Sequence, residues 1–94
     1  MNYNENEIAK QVMAANNFLK TEEGKNKELL SFINKLIHDR ETYYYIKILK
    51  FYLFCKLMDW FIEKDFLSNE KGEDRVFIAR DLATKICLDI GGKK

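Results

Sequence analysis

Apolar residues recur at three- and four-residue intervals along most of this chain, the spacing of helices that bury one side. Ile8, Val12, Ala15 and Leu19, with Phe18 beside them, predict a first helix over Glu5–Lys20. Asn4 is placed to cap it, with Glu7 three residues on in capping-box position. Thr21-Glu22-Glu23-Gly24 reads as a break and a new start, Thr21 capping and the glutamates suiting the positive end of a helix. A second helix follows over Glu22–His38, its stripe formed by Leu29, Leu30, Ile33, Leu36 and Ile37. The polar run from His38 to Thr42 predicts a turn, although without glycine or proline a single long helix is the alternative. A third helix is predicted over Thr42–Phe66, then an exposed loop from Ser68 to Asp74. Asp74 would cap a fourth helix over Arg75–Ile90, which Gly91-Gly92 stops. Its stripe is Val76, Ala79, Leu82, Ala83, Ile86, Cys87 and Ile90, and the small Ala79 and Ala83 allow another helix to approach closely.

The third helix differs from the others. At about 100° per residue, Ile48, Phe51, Cys55, Met58 and Ile62 share one narrow arc. Ile46, Leu49, Leu53, Leu57 and Trp60 share a second, roughly opposite, which Phe54 and Phe61 broaden. Tyr45, Tyr52, Lys56, Asp59 and Glu63 lie in one strip between the arcs, and Lys47 and Lys50 in the other. An ordinary surface helix has one apolar stripe. Leaving one five-residue seam in water would forgo roughly 8–15 kcal/mol, against total stabilities of about 5–15 kcal/mol. Both seams are therefore expected to be covered, by the chain's own helices, a second copy or another protein. The fold expected is an all-α single domain over residues 1–94, a bundle of about four helices with helix three central and apolar on two faces.

Composition removes several classes. With 47% hydrophobic and 33% charged residues the chain is globular rather than disordered. A net charge of +1, from 16 basic and 15 acidic residues, supplies no global attraction to nucleic acid or membrane. Met1 to Glu7 lacks a basic region followed by an apolar run, so no secretory signal is expected. Lys47, Lys50, Lys56 and Asp59 would each cost about 2.5–3.5 kcal/mol near a bilayer centre, so no membrane span is expected. Cys55 and Cys87 fit free, buried thiols in a reducing, cytoplasmic setting. The lack of proline and abundance of Asn, Lys, Ile and Tyr match AT-rich genomes such as those of low-GC bacteria and their phages.

Candidate chemistry is sparse. His38 is the single histidine; beside acids it has the makings of a general base, but its place suits a helix end near the C-terminal dipole. There is no phosphate loop, nucleophile elbow or clustered metal-ligand spacing, so no enzyme, cofactor or metal is expected. Two binding surfaces are. The first is a protein interface of Leu49, Leu53, Leu57, Trp60 and Phe61 on helix three with Phe77 and Leu88 on helix four, aromatic residues being favoured anchors. The second, the alternative, is a basic and aromatic strip of Arg40, Tyr43, Lys47 and Lys50 able to hold phosphates and stack on bases. The expectation is a non-enzymatic helical interaction protein of regulatory, inhibitory or immunity type, binding another protein and forming a homodimer. A small nucleic-acid-associated regulator is the alternative.

Overall fold

A computed structural model describes residues 5–67 and 72–91. The helices are α1 (Glu5–Leu19), α2 (Lys27–His38), α3 (Arg40–Tyr44), α4 (Leu49–Glu63) and α5 (Gly72–Gly91), with a 3-10 turn over Ile46–Ile48. Among the described residues there is no strand, and the bundle is all-α as expected. Asn4, the stretch 68–71 and Gly92, which the sequence assigns to a cap, a loop and a stop, lie outside the described residues.

The second helix starts later than expected. The Thr21 hydroxyl accepts the Gly24 N–H at 3.1 Å, and Lys25 N–H bonds to the Thr21 carbonyl at 3.0 Å. Thr21 thus closes a turn, and Asn26 is the cap, its side chain accepting Glu28 N–H at 2.8 Å and Leu29 N–H at 3.1 Å. Gly24 is buried with its backbone against the Phe18 carbonyl, where a Cβ would fall 2.0 Å from that oxygen.

The turn after His38 is real and short. Asp39 ends α2 and caps α3, accepting Glu41 N–H at 2.9 Å. The expected helix over Thr42–Phe66 is then divided. Tyr45 leaves helical geometry (φ −96°, ψ 29°), and Ile48 N–H bonds to the Tyr45 carbonyl three residues back at 2.9 Å. The run from Thr42 to Ile48 is dense in aromatic and β-branched residues, which lose side-chain freedom in a helix. The Tyr45 ring meanwhile stacks on Tyr52, centroids 4.6 Å apart.

α4 also stops three residues early, in a Schellman arrangement. Phe66 N–H reaches the Phe61 carbonyl at 2.8 Å and Asp65 N–H the Ile62 carbonyl at 3.2 Å. Asp65 takes the left-handed conformation (φ 52°) usually given to glycine. The Phe61 and Phe66 rings, 5.4 Å apart, supply the hydrophobic contact that accompanies this motif. Arg75 from α5 donates to the Phe66 carbonyl at 3.1 Å and holds the turn against the last helix. Asp74 lies inside the first turn of α5 rather than before it, where a carboxylate still favours the positive helix end.

The central helix is α5, a second correction. It packs on α1, α2 and α4. Ala79, Leu82, Ala83, Ile86 and Ile90 are buried, and so are Asp81 and Thr84. The two alanines lack bulk, which lets neighbouring backbones approach. α1 buries Ala15 in the same core and is pinned by a hydrogen bond from the Thr84 hydroxyl to Gln11 Oε1 at 2.7 Å. α2 adds Leu29 and Leu36 and lays Phe32 flat on Trp60, centroids 5.6 Å apart.

Candidate protein-binding surface

α4 has the two apolar faces expected of it, with the opposite one turned outward. Leu49, Leu53, Leu57, Trp60 and Phe61, expected at an interface, are all buried in the chain's own core. Trp60 and Phe61 join Phe32 and Phe66 in a packed aromatic cluster. These residues are therefore the inner seam of α4, and the assignment of a partner to them is corrected. The other seam is open: Ile48 is 53%, Phe51 66% and Ile62 60% exposed. Cys55 and Met58, between them, are half-buried.

Phe77 and Leu88 are exposed as the interface reading requires, on one side of α5 but about 16 Å apart along its axis. They belong to different places. Phe77 borders a shallow recess with Phe18 and Ile78, and the Arg80 guanidinium lies 5.1 Å from its ring centre. Leu88 lines a larger open groove of about 650 Å³ between the start of α4, the end of α5 and Ile8 of α1. Ile46, Ile48, Phe51 and Phe54 belong to its apolar wall, so it runs directly into the open seam of α4.

Among the described residues, the charged side chains lining this groove are Lys47, Lys50 and Arg80, and no carboxylate lines it. Lys50 Nζ lies 3.4 Å from Gln11 Oε1, while Arg80 holds Asp81 at 3.0 Å. Cys87 sits in the same wall; burial pushes its thiol pKa up, with the positive Lys50 opposing the shift. The far end of the open seam is acidic, with Asp59 and Glu63 exposed beside Ile62.

The basic strip does not survive as one surface. Lys47 and Lys50 reach the groove, whereas Arg40 and Tyr43 belong to α3, beyond the break at Tyr45. The break at Tyr45 separates the two halves along the chain. The strip that the sequence assigns to Tyr45, Tyr52 and Lys56 is a packed ladder leading into α4: Tyr44 meets Tyr45 edge-on at 5.2 Å, Tyr45 stacks on Tyr52, and Lys56 Nζ lies 5.5 Å from the Tyr52 ring centre. The seven-residue step from Tyr45 to Tyr52 was the available signal. Of the groove residues, Ile8, Arg80 and Cys87 come from other helices, and no local pattern joins them.

His38 is the exposed last residue of α2. Cys55 and Cys87 are free thiols. Among the described residues no three His, Cys, Asp or Glu side chains gather where they could hold a metal, and no helix is long and apolar enough to cross a membrane.

Fold and surface together define the class: a small all-α bundle in which one helix buries one face and leaves the other in water. Set against known proteins, the chain matches no family model, no curated protein and no solved structure.

Proposed function

We propose that this chain is a non-enzymatic helical interaction protein of regulatory or inhibitory type. It binds protein through the open seam of α4 and the groove that continues it, and self-association belongs to the same reading. One observation carries this: Ile48, Phe51 and Ile62 stay more than half exposed on a chain whose other α4 face is fully packed. Contiguous apolar surface of that kind, rimmed by charge, is characteristic of binding sites. Each of the three side chains forgoes roughly 1–2 kcal/mol of burial, which a partner would recover. The free thiols fit a reducing, cytoplasmic setting. Nucleic acid is the weaker reading because Arg40 and Tyr43 are parted from Lys47 and Lys50.

The experiment is site-specific photo-crosslinking in the native cell. A benzophenone side chain at Phe51 is expected to give a discrete protein adduct, and the same group at Ser31, on the exposed side of α2, none. No adduct at Phe51, or equal labelling at both sites, defeats the proposal.

A further inference from the structure

We infer that the groove walled by α1, α4 and α5 is a binding site for a small amphipathic carboxylate of the fatty-acid class, its head on Lys47 and Lys50 and its hydrocarbon body between the apolar walls. This goes beyond the protein-binding reading above and does not rest on it. At about 100° per residue, Phe54 and Lys50 stand roughly 70° and 110° round α4 from the line of Phe51, Cys55, Met58 and Ile62. The groove meets that line at Phe51 alone and leaves the rest of it to a protein.

The first support is shape. The groove encloses about 650 Å³ between three helices, within the range of about 300–1,000 Å³ usual for small-ligand sites. Ile8, Ile46, Phe54 and Leu88 give it apolar sides drawn from all three. Such sites pair apolar walls with a few convergent polar groups. Here those groups meet at one point: the Thr84 hydroxyl donates to Gln11 Oε1 at 2.7 Å, and Lys50 Nζ lies 3.4 Å from the same oxygen. Thr84 is buried, so this point belongs to the floor of the groove rather than to its rim.

The second support is charge. Arg80 is paired with Asp81 at 3.0 Å, whereas among the described residues neither Lys47 nor Lys50 has a carboxylate partner. The two lysines stand three residues apart, the spacing of helical neighbours. The Lys50 charge reaches into the groove, where it opposes the rise that burial imposes on the pKa of the Cys87 thiol. With no carboxylate in the lining, a cationic ligand meets only repulsion. Two unpaired ammonium groups beside isoleucine, leucine and phenylalanine suit one negative head on a hydrocarbon body. A polyanion would set its further charges against apolar walls.

The test uses the full chain carrying Cys55→Ala, which leaves Cys87, in the groove wall, as the one thiol. The rate at which iodoacetamide alkylates Cys87 is followed against decanoate, decyl alcohol and decyltrimethylammonium, each below its critical micelle concentration. Decanoate is expected to slow alkylation saturably, by at least about five-fold, and to bind at least about ten-fold tighter than decyl alcohol. The cation is expected to give no protection. Lys47→Gln with Lys50→Gln removes the head contacts; both side chains are exposed, so the fold is retained, and circular dichroism checks it. In that variant decanoate should bind within about two-fold of decyl alcohol. Leu88→Ser, at an exposed position of the wall, should instead weaken decanoate and decyl alcohol alike. No protection of Cys87, equal binding of decanoate and decyl alcohol by the parent, or a lysine variant that keeps the parent's preference each overturn the inference. So does protection by phosphatidylglycerol vesicles equal to that by decanoate, which would make the surface a membrane contact. The crosslinking at Phe51 decides the protein-binding reading separately.

Discussion

Replacing Leu53 and Phe51 separately by alanine tests which face of α4 holds the fold. The two positions are two residues apart on one helix, and both changes remove a large apolar side chain. Leu53 is fully buried, so truncation loses its transfer free energy and leaves a cavity, about 2–5 kcal/mol in all. Phe51 is 66% exposed. Only about a third of a side chain worth roughly 1.5–3 kcal/mol is buried there, which limits the loss to about 0.5–1 kcal/mol. A chain of this length has a total stability of about 5–14 kcal/mol, so the first change is severe and the second mild.

Urea unfolding followed by circular dichroism reads both. With an m-value of about 1–2 kcal/mol/M, Leu53→Ala lowers the midpoint by about 2 M and Phe51→Ala by about 0.5 M. The measurement belongs at the lowest usable concentration, because association through the open seam would stabilise the native state by mass action. Raising the concentration should then raise the parent's midpoint and leave that of Phe51→Ala nearly unchanged. A Phe51→Ala loss as large as that of Leu53→Ala in dilute solution would show that the outer seam is packed within one chain, and the reasoning would fail.

Other positions give independent checks. Gly24→Ala sets a methyl 2.0 Å from the Phe18 carbonyl oxygen and 2.6 Å from the Leu19 Cα, and is expected to cost at least about 1–3 kcal/mol in urea unfolding. Gly91→Ala meets nothing within 4 Å at the end of α5 and should leave stability unchanged or raise it slightly. The Thr42 hydroxyl is buried without a hydrogen-bond partner among the described residues; Thr42→Val removes that penalty at equal volume and should stabilise by about 1 kcal/mol, a rise of about 4–8 °C in Tm. Burial raises the Cys87 pKa above its ordinary value of 9.0, so the folded state favours the neutral thiol. Its contribution is complete below pH 9.0 and is lost as pH rises through the folded value. The parent should therefore lose more stability on alkaline titration than Cys87→Ala, and equal slopes would contradict the burial.

The single stripes of α1, α2 and α5 were legible because each has one apolar side and therefore one way to face a core. The ends of the helices were less so, for reasons that lie outside local pattern. Gly24 delays α2 by packing on Phe18, and Asp65 ends α4 in a conformation that residue type does not announce. The division at Tyr45 had a signal in the helix-averse run from Thr42 to Ile48, but those residues also completed apolar arcs and were read as one helix.

Which seam of α4 turns inward was also partly written in the chain. Counted at about 100° per residue, Asp59 falls closer to the arc of Ile48 and Phe51 than to that of Leu53 and Leu57. Burying the first arc would have dragged that carboxylate toward the core, at a cost the second arc avoids. The bulkier seam, with its leucines and Trp60, went inside. What the pattern of α4 alone could not supply was the identity of the central helix. Two apolar faces suggest a centre, yet the centre went to α5, where Ala79 and Ala83 let α1 and α4 approach closely. Once the stripe of α1 lies against α5, it is no longer free to cover the outer side of α4. With α2 contributing Leu29 and Leu36 to the core and Phe32 to Trp60, neither single-striped helix has a second face to offer. The open seam is thus a consequence of which helix became the core.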